Sequence, residues 1–542
     1  MPALQKWLRQ RDHLYLTSLL AVGLVLRGAI ALWLPPGFDE GYYYLYTLHP
    51  AWSYFDHPLM VALTTGLGVG LTGDVSAFTI RLGALLLHTG SLLLLYLTSA
   101  RLFSHQAARL TLAIATLIPI FQLGFGTLTL PDSPLIFFWT ATLYVSVREF
   151  FGERDSGTQT LPLTPYRGTY RLAIVGLLVG LACLSKYHGL ALGFGLVAFC
   201  LTSPRYRVAL ISPWTLLGLG LFALAVLPIV LWNAQYDWVS LRFQSGRAIP
   251  GRGYSLLDLL VTFLAGAGYL FPTFGFPLWW VSGNALVGQF NQKSRAAAVP
   301  HPSRKIALIL WLSLPLMLIF TLMGGYRSIL PTWATPGFWG ATLLLGQHAA
   351  IWQQRSPKAV RRWLWGSALA VTSLLLVALL HVTIGALQKP GRYALFGGWV
   401  APSNDASVQL INIQQLRRGF ADTPSLMAAM QATDFLFTND LYLAGQLGMA
   451  IAPLHPKPIT CFDQDLRGFA FWSTRDQWVG QDGLLVTTAA QAQSALNQYQ
   501  PYFKTIQKVA DISLQRGGAI VQVIEIYQCQ TLLKPYPRPY GL

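Results

Sequence analysis

Apolar runs of roughly 17–25 residues, separated by short polar or basic segments, recur from the start of the chain to about residue 387. A helix of that length crosses the ~30 Å hydrocarbon core of a bilayer. The pattern predicts spans over residues 14–35, 77–100, 107–125, 131–150, 171–186, 188–202, 208–232, 256–284, 306–323, 333–350 and 363–387. Residues 57–73, HPLMVALTTGLGVGLTG, are apolar but short and rich in Gly and Thr, and predict a helix lying in the interface with His57 at the membrane surface. Beyond about residue 388 the long runs stop. Alternating segments at 434–438, 483–487 and 518–527 read as strands, and 424–432 and 488–499 as helices. The expected fold is mainly α: a polytopic transmembrane domain over 1–387 with about eleven helices, then an α/β domain over 388–542. At roughly 150 residues, the second unit has a normal size for one core.

Composition agrees. Apolar residues make up 53% of the chain and charged ones 11%, far from the balance of a soluble domain. The net charge of +17 would suit a nucleic-acid partner, but the basic residues collect between spans. The segments 101–109, 148–171, 205–207, 293–305 and 355–362 lie on one side, which the positive-inside rule makes cytoplasmic. No nucleic-acid partner is expected. The first apolar stretch follows Lys6, Arg9 and Arg11, exceeds a signal-peptide core and lacks a small-residue cleavage site, so it reads as a retained helix. The amino terminus is then cytoplasmic and the terminal domain extracytoplasmic. Within 171–202, Lys186-Tyr187-His188 is either a loop between two short helices or a polar break in one; the later basic segments agree with a loop. Residues 148–171 read as a polar, flexible linker. Four cysteines exclude a disulfide scaffold or a zinc cluster. Cys183 and Cys200 are packing residues. Cys461 and Cys529 either form a disulfide outside the cytoplasm or sit as two buried thiols.

This topology gathers Asp39, Glu40, Asp56, His57, Asp132, Lys186, the loop 233–252 and Arg327 on one face. Ionisable groups at the edge of hydrocarbon are expensive, and clustering them points to chemistry at the lipid–water boundary. Asp39 is a candidate general base or a helix N-cap; Glu40 orients a substrate or caps. Asp132, between two prolines, is a second carboxylate or a cap. Lys186 either snorkels or contacts a phosphate. Arg242 and Arg247 are candidates for a bidentate phosphate clamp. The glycines of 66–73 lack the Lys of a phosphate loop and read as helix packing. Asp39, Glu40, Asp56 and Asp132 could supply oxygens to a divalent ion, but no spacing demands a metal.

The segment PGFDEGYYYLYTLHPAWSYFDHP at 36–58 resembles the first external loop of polyprenyl-phosphate-dependent glycosyltransferases of the GT-C class. That class includes the lipid A aminoarabinose transferases and the dolichyl- or polyprenyl-phosphate-mannose protein mannosyltransferases. The T-x-P-D-x-P setting of Asp132, Leu-Ser-Lys-Tyr at 184–187, WNAQYDWVSLRFQSGR at 232–247, GGYRSILPTWATPGFWG at 324–340 and the tail from TNDLYLAGQLGMAI onward extend the resemblance over most of the chain. It implies an inverting membrane glycosyltransferase without a metal cofactor, in a cell inner membrane. The sugar would come from a polyprenyl-phosphate donor and pass to an extracytoplasmic lipid, glycan or protein. It also implies catalytic roles for Asp39, Glu40 and Asp132, and donor-phosphate or substrate contacts for Asp56, His57, Lys186, Arg242, Arg247 and Arg327. The chain departs from the pattern twice: His57-Pro58 stands where relatives carry Lys-Pro, and Thr332-Trp333 where they carry His-Trp. The rival readings are a carrier or flippase for lipid-linked sugars, in which polar groups would gather at the midplane, and a non-catalytic binder of polyprenyl phosphates.

Overall fold

The computed structural model describes residues 11–151, 165–293, 301–538 and 540. Most of the linker expected at 148–171, and part of the basic segment 293–305, lie outside the described residues. The first part of the chain is helical: α1 Arg11–Trp33, α2 Phe38–Leu48, α3 Met60–Thr72, α4 Ala77–Leu102, α5 His105–Leu117, α6 Asp132–Phe150, α7 Arg171–Ser185 and α8 Gly189–Thr202. It continues with α9 Pro213–Gln235, α10 Val239–Gly246, α11 Leu256–Tyr269, α12 Pro272–Lys293, α13 His301–Met323, α14 Thr335–Arg355 and α15 Pro357–Ile384. Side-chain oxygens start several of them. Ser76, Ser104 and Ser212 accept from backbone N–H groups in the first turns of α4, α5 and α9, satisfying donors a helix leaves unpaired.

Among the described residues, five helices are long and apolar enough to cross a bilayer, or six with one bent pair; the expected count of eleven is not reached on those criteria. The two short helices α7 and α8, with Lys186 in an extended turn between them, match the loop reading of 186–188. The stretch 256–284 is not one straight helix. It is α11 and α12, bent by 114°, because Phe271 takes a left-handed φ of 66° and Pro272 has no N–H to continue the ladder. The stretch 107–125 is likewise α5 followed by a π-helical turn, Phe121–Phe125. The bundle core centres on α4, α5, α6 and α14, where Trp139 and Trp339 are fully buried and Trp339 Nε1 donates to Thr140 Oγ1 at 2.9 Å. The glycine-rich α3 packs on α4 as its composition implies: an added Cβ at Gly68 would lie 2.1 Å from the Thr79 carbonyl oxygen.

The chain then builds α16 Ile413–Ala421, α17 Pro424–Ala432, β1 Phe435–Thr438, α18 Leu441–Ile451, β2 Ile459–Cys461 and α19 Phe469–Trp472. It ends with β3 Gly483–Thr488, α20 Ala489–Tyr499, β4 Phe503–Arg516 and β5 Ala519–Leu532. The strands form one sheet in the order β2-β1-β3-β5-β4. β1 is parallel to β2 and β3, while β5 is antiparallel to β3 and β4. β4 was not legible in the sequence because its lysines and half-exposed positions blur the alternation. Cys461 and Cys529 are free, buried thiols. They lie on β2 and β5 with two strands between them, roughly 14 Å apart at ~4.8 Å per strand, beyond the ~7 Å limit for a disulfide. Of the two readings, two buried thiols is the one the structure shows.

One contact joins sheet domain and bundle most closely. α18 lies against α2 with Gly445 facing Gly41, so that a Cβ on Gly445 would fall 2.3 Å from Tyr42 N and 2.4 Å from Gly41 C. The obstacle is backbone, so α2 itself would have to move. Gly445→Ala is therefore expected to lower stability by about 1–3 kcal/mol, read as a lower thermal midpoint in detergent. Gly28→Ala, where an added Cβ meets nothing within 4 Å, should not lower the midpoint, since Ala favours a helix interior over Gly.

Candidate active site

The candidate site begins with a buried ion pair that fixes the helix bearing Asp39. Arg81, near the start of α4, donates to Glu40 through Nε at 2.8 Å and Nη2 at 2.5 Å. Its remaining N–H groups go to the carbonyls of Ala31, Leu34 and Pro35 at 2.6–2.9 Å, at the end of α1. Both side chains are fully buried. Glu40 Oε2 also accepts from Gly37 N at 2.6 Å and Oε1 from Thr129 N at 2.9 Å. Thr129 in turn bonds Thr65 of α3 at 2.8 Å and stands three residues before Asp132. One carboxylate thus holds the start of α2, the end of α1 and the loop that carries Asp132.

Around this frame the ionisable groups form a single cluster. Lys186 Nζ lies 2.9 Å from both oxygens of Asp132. Asp56, 2% exposed, accepts from the Tyr46 hydroxyl, from Tyr42 Oη at 3.4 Å and from Arg467 Nη1 at 3.3 Å. Arg467 comes from the sheet domain. Its Nε lies 3.1 Å from Asp465 Oδ2 and its guanidinium lies over the Tyr442 ring. Burial alone would lower its pKa, but Asp56, Tyr442 and Asp465 outweigh this and keep it firmly charged. Burial first, then Asp56, push the Tyr46 phenol well above its usual range, so it donates to Asp56 and does not ionise.

Asp39 differs from the other acids. Among the described residues no group donates to its carboxylate. Burial, Asp56 and Glu40 raise its pKa to about 6, against the opposing fields of Arg467 and Lys186. Arg247, which follows α10, is the matching cation. It is half-buried over the rings of Trp333 and Phe243 at 5.0 and 5.2 Å, it senses Arg467 and Asp56, and among the described residues no acid pairs with it. Also among the described residues, no three His, Cys, Asp or Glu side chains converge as a metal-ligand set.

Residues 56–232 match the dolichyl-phosphate-mannose-protein mannosyltransferase family. A lipid A galacturonosyltransferase, RgtD, of Rhizobium johnstonii is 25% identical over 329 residues, which cover 60% of this chain and 62% of that protein. The match thus spans less than two thirds of the relative's length. The crystal structure of ArnT from Cupriavidus metallidurans in the apo state superposes with a TM-score of 0.57 at 15% identity, over 94% of this chain and 97% of that one. The chain is related to the GT-C glycosyltransferases. Its fold is that of ArnT, a helical membrane bundle with a terminal sheet domain.

Against this GT-C frame the expected residues divide. Asp39, Asp56, His57, Asp132, Lys186 and Arg247 share one electrostatic neighbourhood. Glu40, expected in the chemistry, has both oxygens occupied and caps α2; it is a structural anchor. Asp56 is too buried and too fully bonded to meet a phosphate, and instead orients Arg467. His57 does not replace a lysine as a cation. Burial and Lys186 push its pKa down to about 4 despite Asp56 and Asp132, and it sits edge-on to Tyr43 at 5.6 Å as a neutral ring. Arg242 is exposed and pairs with Asp237 at 2.8 Å. Arg327 donates to the carbonyls of Gly246, Arg247 and Ile249, closing the turn that presents Arg247. The residues missed were Arg81 and the role of Arg467. Arg81 carried a signal: an arginine inside an apolar span, at the end that the charge pattern alone would make external, against the positive-inside bias.

Two outcomes follow from these contacts. Arg81→Leu leaves Glu40 buried without its cation and should destabilise the protein by about 3–5 kcal/mol, seen as a large drop in thermal midpoint. For Asp39 the folded-state pKa is raised from 3.8 to about 6, so ionising it opposes folding, and the penalty grows as pH rises through that window. Asp39→Asn should melt no lower than wild type at pH 8, with any advantage vanishing near pH 4.

Proposed function

We propose that the chain is an inverting membrane glycosyltransferase that moves a sugar from a polyprenyl-phosphate donor to a hydroxyl or phosphate oxygen of an extracytoplasmic acceptor. In this reading Asp39 takes the acceptor proton as the acceptor oxygen attacks the anomeric carbon. The bond from that carbon to the phosphate oxygen breaks, and its electron pair leaves on the polyprenyl phosphate. Arg247 meets the phosphate, with Arg467 and Lys186 adding to the local field. Asp132 sets the position of Lys186. The observation that carries the reading is the Asp39 carboxylate, to which no described group donates, within a cluster whose other acids are all engaged. The name of the matched relative makes lipid A the first acceptor to offer. A cytoplasmic amino terminus, a site on the outer face of an inner membrane and a division near residue 387 complete the reading, supported by the sorting of basic segments.

The test is a transfer assay on purified protein in lipid, with labelled polyprenyl-phosphate sugars and lipid A, other envelope glycans or protein as acceptor. Wild type should transfer label. Asp39→Asn should abolish transfer and still bind donor. The rate should rise with pH through about 6 as Asp39 ionises. Donor that is bound and never consumed would support the carrier reading and remove the base assignment. Arg247→Gln should weaken donor use at least tenfold, a difference of about 1.4 kcal/mol, while Arg242→Gln, already paired with Asp237, should behave as wild type in the same assay.

A further inference from the structure

The last long apolar helix does not run straight into the sheet domain. α15 stops at Ile384, where Gly385 takes a left-handed φ of 76°, and the chain then makes a closed loop. Leu387 O accepts from Trp399 N at 2.8 Å and from Val400 N at 2.9 Å, and Val400 O accepts from Lys389 N at 2.8 Å. The two ends of the loop are thus pinned together. The loop is also tied to the turn between β4 and β5. Arg392 N donates to Gly517 O at 2.8 Å, and Arg516 Nε donates to Gln388 Oε1 at 2.9 Å. Away from these ties its side chains face outward: Tyr393, Leu395, Phe396 and Trp399 are 52%, 44%, 89% and 69% exposed. The Phe396 and Trp399 rings stack with centroids 6.4 Å apart. Phe396 has a φ of 53°, a conformation that bulky side chains rarely adopt. Lys389 and Arg392 are exposed beside them. Arg392 lies over the Tyr393 ring at 5.6 Å, and among the described residues neither cation pairs with an acid.

We infer that the loop 388–400 anchors the sheet domain to the bilayer: its aromatic tip enters the headgroup–acyl boundary, and Lys389 and Arg392 meet lipid phosphates. Two observations select a lipid surface as the occupant. α15 has only 11% of its most apolar window buried inside the protein, so lipid already surrounds the helix from which the loop emerges. The loop starts within a turn of that helix's end, at the level where hydrocarbon gives way to headgroups. Tyr and Trp rings favour that level, and unpaired cations there are drawn to anionic headgroups. Ile520, 54% exposed beside the β4–β5 turn, extends the apolar patch. The sheet domain meets both this loop and α2, so the leaflet is the one at the Asp39 end of the bundle. Fixing the β4–β5 turn at the membrane sets the height of the sheet that brings Arg467 to Asp56. The inference uses the membrane reading of the bundle and is independent of which reaction Asp39 performs.

The experiment places a thiol-reactive, environment-sensitive fluorophore on Phe396→Cys in the full-length protein, held in nanodiscs of phosphatidylglycerol and phosphatidylcholine. The four native thiols are buried, and wild type taken through the same labelling sets the background. Lys504→Cys is the aqueous reference, exposed at the far end of β4 and roughly 40 Å along the strand from Arg516. Lipids bearing a nitroxide near the top of the acyl chain should quench the label at 396 at least about twice as strongly as the label at 504, and aqueous iodide should do the reverse. Tyr393→Cys should report the same, so the test stands if one variant does not fold, which thermal midpoints check. Adding Lys389→Gln and Arg392→Gln to Phe396→Cys should cut the lipid quenching about twofold in phosphatidylglycerol and leave it unchanged in phosphatidylcholine alone. A label at 396 that iodide quenches as freely as the label at 504, with no quenching by lipid, overturns the proposal and leaves the patch to a protein partner. Lipid quenching that is indifferent to the two Gln substitutions overturns the phosphate contacts.

Discussion

The Glu40 carboxylate is the point on which the candidate site hangs. Its two oxygens receive the Arg81 guanidinium, the Gly37 amide and the Thr129 amide, while Arg81 also closes the last carbonyls of α1. A buried ion pair is weak evidence of net stability, because desolvating two charges costs several kcal/mol. It does specify geometry, since every N–H of Arg81 and both oxygens of Glu40 have one partner set that satisfies them. The pair sets the direction in which α2 leaves the membrane and the height of the loop before α6. Asp39 and Asp132 are brought to one cluster by the same group. Glu40 adjoins Asp39 in sequence, so fastening Glu40 also fixes the place of Asp39.

The sheet domain is part of the same construction. Backbone-to-backbone contact at Gly41 and Gly445 lets α18 lie against α2, and this close approach brings the chain from Cys461 to Trp472 over the first loop. Arg467 then reaches Asp56, and the Gly468 amide donates to Tyr42 Oη at 2.8 Å. Trp472 stacks on His49 at 4.6 Å and packs on Tyr42 and Tyr46. Phe55 stacks on Tyr540 at 4.5 Å. The tyrosine-rich segment is therefore largely an interdomain core, with the Tyr42 and Tyr46 hydroxyls turned to Asp56. A bundle without the sheet domain would leave Asp56 lacking its cation.

Much of this was legible in the sequence. Apolar period and basic segments gave the bundle, the face on which polar groups meet and the loop at Lys186. Other features were not, the short strand β2 among them. The bend at Phe271 depends on a positive φ that no residue pattern announces. The strand β4 alternates too weakly to read. The division of labour among the charged residues depends on partners distant in the chain: Glu40 with Arg81, Asp56 with Arg467, and Arg327 with the turn after α10. Sequence reasoning marked Glu40, Asp56 and Arg327 as charges near a membrane surface and gave each a direct role. Most of them hold a neighbour in place. His57 shows the same limit, because its charge is decided by burial, which pushes its pKa down to about 4.

Once the paired groups are set aside, Asp39 and Arg247 are left on the two sides of the proposed reaction. A sugar linked to a lipid phosphate is a diester with one negative charge, and its departure leaves a monoester that gains another. Asp39 loses its negative charge as it takes the acceptor proton. Charge therefore moves from the carboxylate to the phosphate while the total within the site stays the same. In a buried site that exchange matters, because creating a net charge at low dielectric is far costlier than moving one. The pairs Lys186–Asp132 and Arg467–Asp56 form a pre-oriented, nearly neutral surround that need not reorganise as charge shifts across it. A cation held over aromatic rings, as Arg247 is, keeps its guanidinium edge free for the oxygen on which the new charge collects. The base must begin ionised for this balance to hold, and a pKa near 6 places Asp39 at the edge of that condition near neutral pH while leaving it basic enough to accept the proton.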